Sequence, residues 1–293
     1  MSRSTLIYIL ITCSLGFVLG LTLIQFSSTP SQHLPVSSML VNGIERTYHL
    51  FIPNQPAKEP MPLLVAFHGG GGKGEVFPQQ SAFESLAQDE KFIIALPQGH
   101  LLSGNEGEWQ LNTDSTRQHD IEFIQAMIDE ISMIHQVDSS RIYATGYSLG
   151  SMFTYEIACQ MSDRFASIAS FAGTMPITHD QCEPQRYAPI LHIHGDDDWI
   201  ISYSDTWTWK AWDEVGPMRN ISDLIDFWQS KYACQSQNQT DFPSATHFIY
   251  NDCNQEARVE HYRLHGTGHK WPSTINGVST HRVIWEFLNN VSL

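Results

Sequence analysis

The sequence predicts an α/β domain built on a mostly parallel sheet with helices on both faces. Three observations carry that expectation. Short, nearly unbroken apolar runs recur along the chain, segments with helical spacing separate them, and no internal repeat or low-complexity linker interrupts the series. With 293 residues, 42% hydrophobic and 16% charged, the chain can bury one large core, and a single domain of about 250 residues is the natural size.

The first 32 residues stand outside that domain. Leu6 to Phe26 carries no charged residue, Arg3 precedes the run and Ser27-Ser28-Thr29-Pro30-Ser31 follows it, which is the pattern of an export signal. An apolar run of about 20 residues also suffices to span a bilayer. Two readings therefore stand: a leader cleaved near Val18-Leu19-Gly20, or an uncleaved anchor through residues 6–26 with the body, residues 33–293, secreted or periplasmic. Lipidation at Cys13 is disfavoured, because Thr12 occupies a position that wants a small residue.

The body opens with residues 39–41 and the alternating segment 44–52 around Asn42-Gly43, the dipeptide of a two-residue hairpin turn. Apolar runs at 63–67, 92–96, 141–145, 167–171, 190–193 and 259–264 read as buried strands. Helical spacing marks 79–87, 121–134, 151–161, 221–232 and 282–289. Sixteen Lys and Arg against 31 Asp and Glu give a net charge of -15, which argues against nucleic acid or anionic lipid as partner and for a neutral or weakly polar substrate. Apart from Cys13, the cysteines are Cys159, Cys182, Cys234 and Cys253, with no C-x-x-C, so disulfides outrank a metal or redox site. Three pairings are available. Proximity favours Cys159 with Cys182 and Cys234 with Cys253, each closing a loop of about twenty residues worth roughly 3 kcal/mol.

The chemistry-bearing segment is Gly146-Tyr147-Ser148-Leu149-Gly150, between a strand run and a helical one. The two glycines let the backbone turn sharply, so the Ser148 hydroxyl stands exposed at a helix N-terminus and the Leu149 N–H can meet an oxyanion. A serine nucleophile in such a turn needs an acid and then a histidine farther along the chain. His194-Gly195-Asp196-Asp197-Asp198 follows a strand run at its carboxyl end, and any of the three aspartates fits. His269, in Gly266-Thr267-Gly268-His269-Lys270-Trp271-Pro272, is the candidate general base. His68-Gly69-Gly70-Gly71-Gly72 follows the run at 63–67, and Gly70 is the candidate second oxyanion donor; Gly72-Lys73-Gly74 lacks the Gly-Lys-Ser/Thr of a phosphate loop. The set calls for no metal or organic cofactor.

Tryptophans supply candidate substrate contacts. Trp109 is either a pocket floor or a packing anchor. Trp271 lies two residues after His269 and helps position that turn, and Trp207, Trp209 and Trp212 crowd the segment 203–218, as a cleft wall for an aromatic or sugar-bearing ester or as packing of a surface helix or lid. Asp120 reads as a structural or capping residue. A rival reading takes His192-x-His194-x-Asp196 as metallohydrolase ligands, but Asp197 stands where a further histidine is wanted. Two further readings keep the same fold: a serine peptidase, or a catalytically silent binding protein.

Together these residues resemble the secreted α/β-hydrolases grouped as polyhydroxybutyrate depolymerase-like and feruloyl esterase-like carbohydrate esterases. The likeness runs through Asn42-Gly43-Ile44-Glu45-Arg46-Thr47-Tyr48, the His68 glycine loop, Leu96-Pro97-Gln98-Gly99, Asp120-Ile121-Glu122-Phe123-Ile124, Val137-Asp138, Gly146-Tyr147-Ser148, Asp163-Arg164-Phe165-Ala166, His194-Gly195 with Asp198, and Gly268-His269 with Trp271-Pro272. The resemblance implies an α/β-hydrolase fold and a serine carboxylic ester hydrolase working through an acyl-enzyme on a small or oligomeric ester, with feruloyl or acetyl esters of polysaccharide and short hydroxyalkanoate esters both open as substrate. The family's His-Gly-x-x-Asp pattern implies Asp198 as the acid beside Ser148 and His269, and its paired cysteines support the two short disulfides. Two departures stand out. Leu149-Gly150-Ser151 replaces the usual Asn-Gly-Gly, altering the wall beside the oxyanion hole, and Asp196-Asp197 replaces Thr-Ala, adding negative charge near the acid.

Overall fold

The computed structural model describes residues 35–54, 59–72, 77–78, 80–101, 107–112, 118–178, 182–208 and 215–293. The leader or anchor expected in residues 1–32 lies outside them. Among the described residues no helix is long and apolar enough to cross a membrane.

The chain enters as the hairpin β1 (Val36–Val41) and β2 (Ile44–Phe51), in which Val41 pairs with Ile44, so Asn42-Gly43 is the whole turn. Then β3 (Met61–Phe67), α1 (Gln80–Glu90) and β4 (Ile93–Pro97) form the first parallel crossover. The two-residue strands β5 (His100–Leu101) and β6 (Gly107–Glu108) pair with each other ahead of α2 (His119–Ile134). Next come β7 (Val137–Tyr147), α3 (Leu149–Gln160), β8 (Ser167–Phe171) and β9 (Ile190–Gly195), followed by α4 (Ile221–Lys231). A second hairpin, β10 (Ser236–Phe242) with β11 (Ala245–Asn251), leads into β12 (Val259–Leu264), the small ribbon β13 (Thr274–Ile275) with β14 (Val278–Ser279), and α5 (Thr280–Leu288).

Ten strands make one sheet in the order β1-β2-β4-β3-β7-β8-β9-β12-β11-β10. From β4 to β12 the neighbours run parallel, and an antiparallel hairpin closes each edge. The N-terminal hairpin and the parallel centre match the sequence expectation. The hairpin at the far edge does not follow from it, because β10 is Ser-Gln-Asn-Gln-Thr-Asp-Phe, largely exposed, with no apolar period to read.

Alternation along the buried strands divides the core in two. Leu63, Val65 and Phe67 of β3 belong to the core that α2, α3 and α4 cover, whereas Leu64 and Ala66 belong to the core that α1 and α5 cover. Helix α3 is buried from Leu149 to Cys159, with its polar Ser151, Thr154 and Glu156 included. Both expected disulfides are present: Cys159–Cys182 ties the end of α3 to the segment before β9, and Cys234–Cys253 ties the end of α4 to the base of the β10–β11 hairpin. The strand order reverses at β3, since the chain steps from β3 to β4 on one side and then continues with β7, β8 and β9 on the other. Open α/β sheets gather ligands outside the carboxyl ends of strands at such a reversal, and here the segments after β3 and β7 are the glycine loop and Ser148.

Candidate active site

Ser148 caps the N-terminus of α3 with φ 54° and ψ −119°, a strained conformation for a residue with a side chain. Its surroundings hold it there: the Ser148 N–H donates to the Phe171 carbonyl at 2.9 Å. A Cβ on Gly146 would sit 2.1 Å from the Gly150 carbonyl oxygen, and one on Gly150 would sit 2.2 Å from that of Phe67. Both glycines are therefore steric requirements of a turn in which β7, α3 and the end of β3 converge.

His269 completes a hydrogen-bonded line. Its Nε2 lies 2.9 Å from Ser148 Oγ and its Nδ1 lies 2.7 Å from Asp198 Oδ2. With the Nδ1 proton donated to a carboxylate, Nε2 is left as the acceptor for the serine hydroxyl. The three adjacent aspartates separate cleanly by environment. Asp196 accepts from the Gly266 N–H at 2.7 Å and from Arg263 Nε at 3.0 Å. Asp197 is exposed, and only Asp198, 5% exposed, points at the histidine. Burial pushes the Asp198 carboxyl up, but hydrogen bonds from His194, His269 and the Ile201 N–H outweigh it and hold the group well below the usual carboxylate range. The loops that carry Asp198 and His269 are packed backbone to backbone, since a Cβ on Gly195 would meet the Thr267 carbonyl oxygen at 2.0 Å. The Asp197 N–H donates to that same carbonyl at 3.1 Å.

The glycine loop lies against the serine turn. A Cβ on Gly69 would be 3.4 Å from Ser148 Cβ, and one on Gly70 would be 3.4 Å from Leu149 Cδ2. Buried His68 fastens the loop: Nδ1–H donates to the Gly69 carbonyl at 2.8 Å and Nε2 accepts the Gly99 N–H at 3.0 Å. Burial pushes the His68 imidazole below its ordinary pKa, in keeping with this neutral tautomer.

The tryptophans take supporting positions. Trp109 is 3% exposed, stacks on Phe153 at 4.8 Å and donates its indole N–H to the His68 carbonyl at 2.9 Å. Of the two readings open for it, the geometry supports the packing anchor. Trp271 stacks on Phe171 at 4.5 Å and meets Tyr147 edge-on at 5.9 Å, behind the His269 turn. Trp207 is partly buried and bridges Met218, whose N–H donates to the Trp207 carbonyl at 2.7 Å. Trp209 and Trp212 lie outside the described residues. Asp120 forms a buried ion pair with Arg46 at 2.6 Å and accepts the Gln110 N–H at 2.7 Å, anchoring the segment that carries Trp109.

Three contributors escape the sequence reading. The Tyr147 hydroxyl donates to the His269 carbonyl at 3.1 Å; its adjacency to Ser148 is the available signal. His194 Nε2 stands 3.3 Å from Asp198 Oδ2. Trp199, next to Asp198, is 83% exposed beside Gly268 and Ile200 is also exposed, a rim feature with no periodic signature. The metal-ligand reading fails on geometry: His192 and His194 are bonded to each other at 3.2 Å inside the sheet, while Asp196 turns away to Arg263.

Residues 50–211 match the phospholipase/carboxylesterase family. A bifunctional acetylxylan esterase/xylanase from Neocallimastix patriciarum is 25% identical over 84% of the chain and 33% of its own length. A poly(3-hydroxyalkanoate) depolymerase C from Paucimonas lemoignei is 32% identical over 59% of the chain and 41% of its own length. The chain thus spans less than half of either relative. An acetyl xylan esterase structure from Aspergillus awamori superposes with a TM-score of 0.65 at 17% identity, covering 87% of this chain and 99% of that one, and so shares the α/β-hydrolase fold. With more than half of its length matched by that family, the chain belongs to the phospholipase/carboxylesterase family.

Proposed function

We propose that the protein is a serine carboxylic ester hydrolase that works through an acyl-enzyme on Ser148. The observation that carries this reading is the line from Ser148 Oγ through His269 to Asp198, at 2.9 Å and 2.7 Å. Ser148 Oγ attacks the ester carbonyl carbon while His269 Nε2 takes its proton, and the carbonyl π pair moves onto oxygen. The Leu149 and Gly70 N–H groups meet that oxyanion. As the intermediate collapses, the bond to the leaving oxygen breaks and His269 returns the proton to the departing alcohol. Water then repeats the sequence on the acyl-serine, releasing the acid and restoring Ser148. Asp198, held ionised, orients His269 and stabilises its cationic form throughout.

The substrate class we propose is an acetyl or feruloyl ester carried on a polysaccharide fragment. The acetylxylan esterase named above supports ester chemistry on a polysaccharide, and the exposed Trp199 beside Asp198 offers a face on which a sugar or aromatic ring stacks. The two disulfides support an oxidising compartment outside the cytosol. The test is hydrolysis of p-nitrophenyl acetate, acetylated xylo-oligosaccharide, methyl ferulate and a hydroxybutyrate oligomer, with Ser148→Ala as control. Turnover of the acetyl or feruloyl substrates, abolished in the variant, supports the proposal. Preference for the hydroxybutyrate oligomer replaces the substrate class, and inertness toward all four in the folded protein removes the esterase reading.

A further inference from the structure

Behind Asp198 lies a chain of buried polar side chains that the reaction above does not use. His192 and His194 stand two residues apart on β9 and are fully buried, with ring centroids 5.3 Å apart. His194 Nε2 lies 2.9 Å from the Ile201 carbonyl oxygen and 3.3 Å from Asp198 Oδ2. His194 Nδ1 lies 3.2 Å from His192 Nε2, and His192 Nδ1 lies 2.7 Å from the Tyr155 hydroxyl, with Ser170 Oγ at 3.3 Å as a further neighbour.

The chemistry of the two ends gives this chain a direction. A carbonyl oxygen and a carboxylate only accept, so the proton facing them sits on His194 Nε2. A neutral His194 then accepts at Nδ1, so His192 donates from Nε2 and accepts at Nδ1, and the Tyr155 hydroxyl is its donor. Burial keeps His192 far below the ordinary histidine pKa and pushes the Tyr155 phenol up, so both hold the neutral forms this direction needs. The neighbouring groups are compatible. His261 on β12 donates from Nδ1 to the His192 carbonyl at 3.2 Å and accepts at Nε2 from the Tyr203 hydroxyl at 2.9 Å, which leaves it neutral. Arg263 is held by Asp196 and His247 by Glu260, and Tyr147 faces Asp198 from the serine side.

We propose that Tyr155, His192 and His194 are positioning residues for the acid, a directed hydrogen-bond chain that keeps Asp198 ionised and aimed at His269. The proposal rests on the reading of Asp198 as the acid of the serine mechanism. The carboxylate has two oxygens to satisfy: Oδ1 takes the Ile200 and Ile201 N–H groups, each at 2.9 Å, and Oδ2 takes His269 and His194. Two of these donors are imidazoles that a change of tautomer would withdraw, His269, which is the reacting base itself, and His194, whose tautomer Tyr155 and His192 fix. The chain also closes on itself. Tyr155 belongs to α3, about two turns beyond Ser148 at its N-terminus, so the circuit Ser148, His269, Asp198, His194, His192, Tyr155 returns to the serine through one helix.

Two measurements on the full chain test this. Nitrogen-15 NMR of the imidazoles reads the tautomers directly. The expected result is Nε2–H with unprotonated Nδ1 for both His192 and His194; Nδ1–H on either residue, or a doubly protonated His194, overturns the chain's direction. Kinetics with Tyr155→Phe, His192→Leu, His194→Leu and His194→Gln supplies the second arm. Losing a donor makes the Asp198 carboxylate more basic, so the acid limb of kcat/KM against pH moves upward, most for His194→Leu, less for His192→Leu and least for Tyr155→Phe. In His194→Leu kcat falls roughly tenfold with KM little changed, and His194→Gln, which keeps a donor, recovers most of it. Acid limbs identical to the wild type in Tyr155→Phe and His194→Leu proteins of normal fold overturn the proposal, as does no recovery in a folded His194→Gln. A wild type inert toward every ester, with the tautomers as expected, removes the esterase reading and leaves the hydrogen-bond chain standing.

Discussion

The Trp109 indole N–H donates to the backbone carbonyl of His68 at 2.9 Å, so a buried aromatic ring, together with the His68 imidazole, holds the glycine loop that faces Ser148. Loss of an oxyanion donor costs about 100- to 1,000-fold in kcat, and a loosened loop costs part of that. Trp109→Phe keeps the stack on Phe153 and removes only the donor. We expect kcat to fall roughly tenfold with KM nearly unchanged, and stability to drop by about 1 kcal/mol. Steady-state kinetics and urea unfolding check both figures.

Gly195 governs how closely the Asp198 and His269 loops approach. Any Cβ there collides with the Thr267 carbonyl, two residues before His269. Gly195→Ala is expected to part the two loops and lower kcat on the order of 100-fold, the scale of a displacement of about 1 Å at a reacting centre. Activity close to the wild type would show that the turn yields without moving His269.

Arg46 and Asp120 are 5% and 1% exposed and paired at 2.6 Å. Asp120→Ala strands a buried guanidinium, and the expected loss is about 3–5 kcal/mol in unfolding free energy. The double variant Arg46→Met with Asp120→Leu is expected to lose less than that single change, because no charge is left unpaired. Denaturant titration of both proteins decides it.

Burial lowers the pKa of His192 far below its ordinary value and that of His261 to about 3. Each binds a proton in the unfolded chain below about pH 6.5 but stays neutral in the fold, so each contributes stability that is complete above that pH and declines on acidification. The slope is about 1.4 kcal/mol per pH unit per histidine, and for His261 it continues down to about pH 3. Asp198 acts in the same direction at lower pH: its depressed pKa stabilises above about pH 4 and the effect is lost as pH falls further. Unfolding curves at pH 7 and pH 5 should differ by more in the wild type than in His261→Gln.

The serine turn, the parallel centre and both disulfides are legible in the sequence because each has a local cause: two glycines that sterics require, apolar runs buried on two faces, and cysteines close along the chain. The choice among Asp196, Asp197 and Asp198 is not local. Three identical side chains differ only in where the turn after β9 aims them, and the family pattern rather than the residues separates them. The β10–β11 hairpin is illegible because an exposed edge strand of polar residues carries no period. His194 reads as half of a metal motif in the sequence because the tyrosine that ends its hydrogen-bond chain, Tyr155, approaches from α3, many residues away.

An acyl-enzyme on Ser148 is tested most directly by mixing the protein with p-nitrophenyl acetate, quenching within the first turnover and locating the acetyl group by peptide mass spectrometry. The wild type is expected to give a burst of p-nitrophenol approaching one equivalent, with the added acetyl on Ser148, and Ser148→Ala neither burst nor acetyl. An acetyl group on another residue, or undiminished turnover by Ser148→Ala, would contradict it.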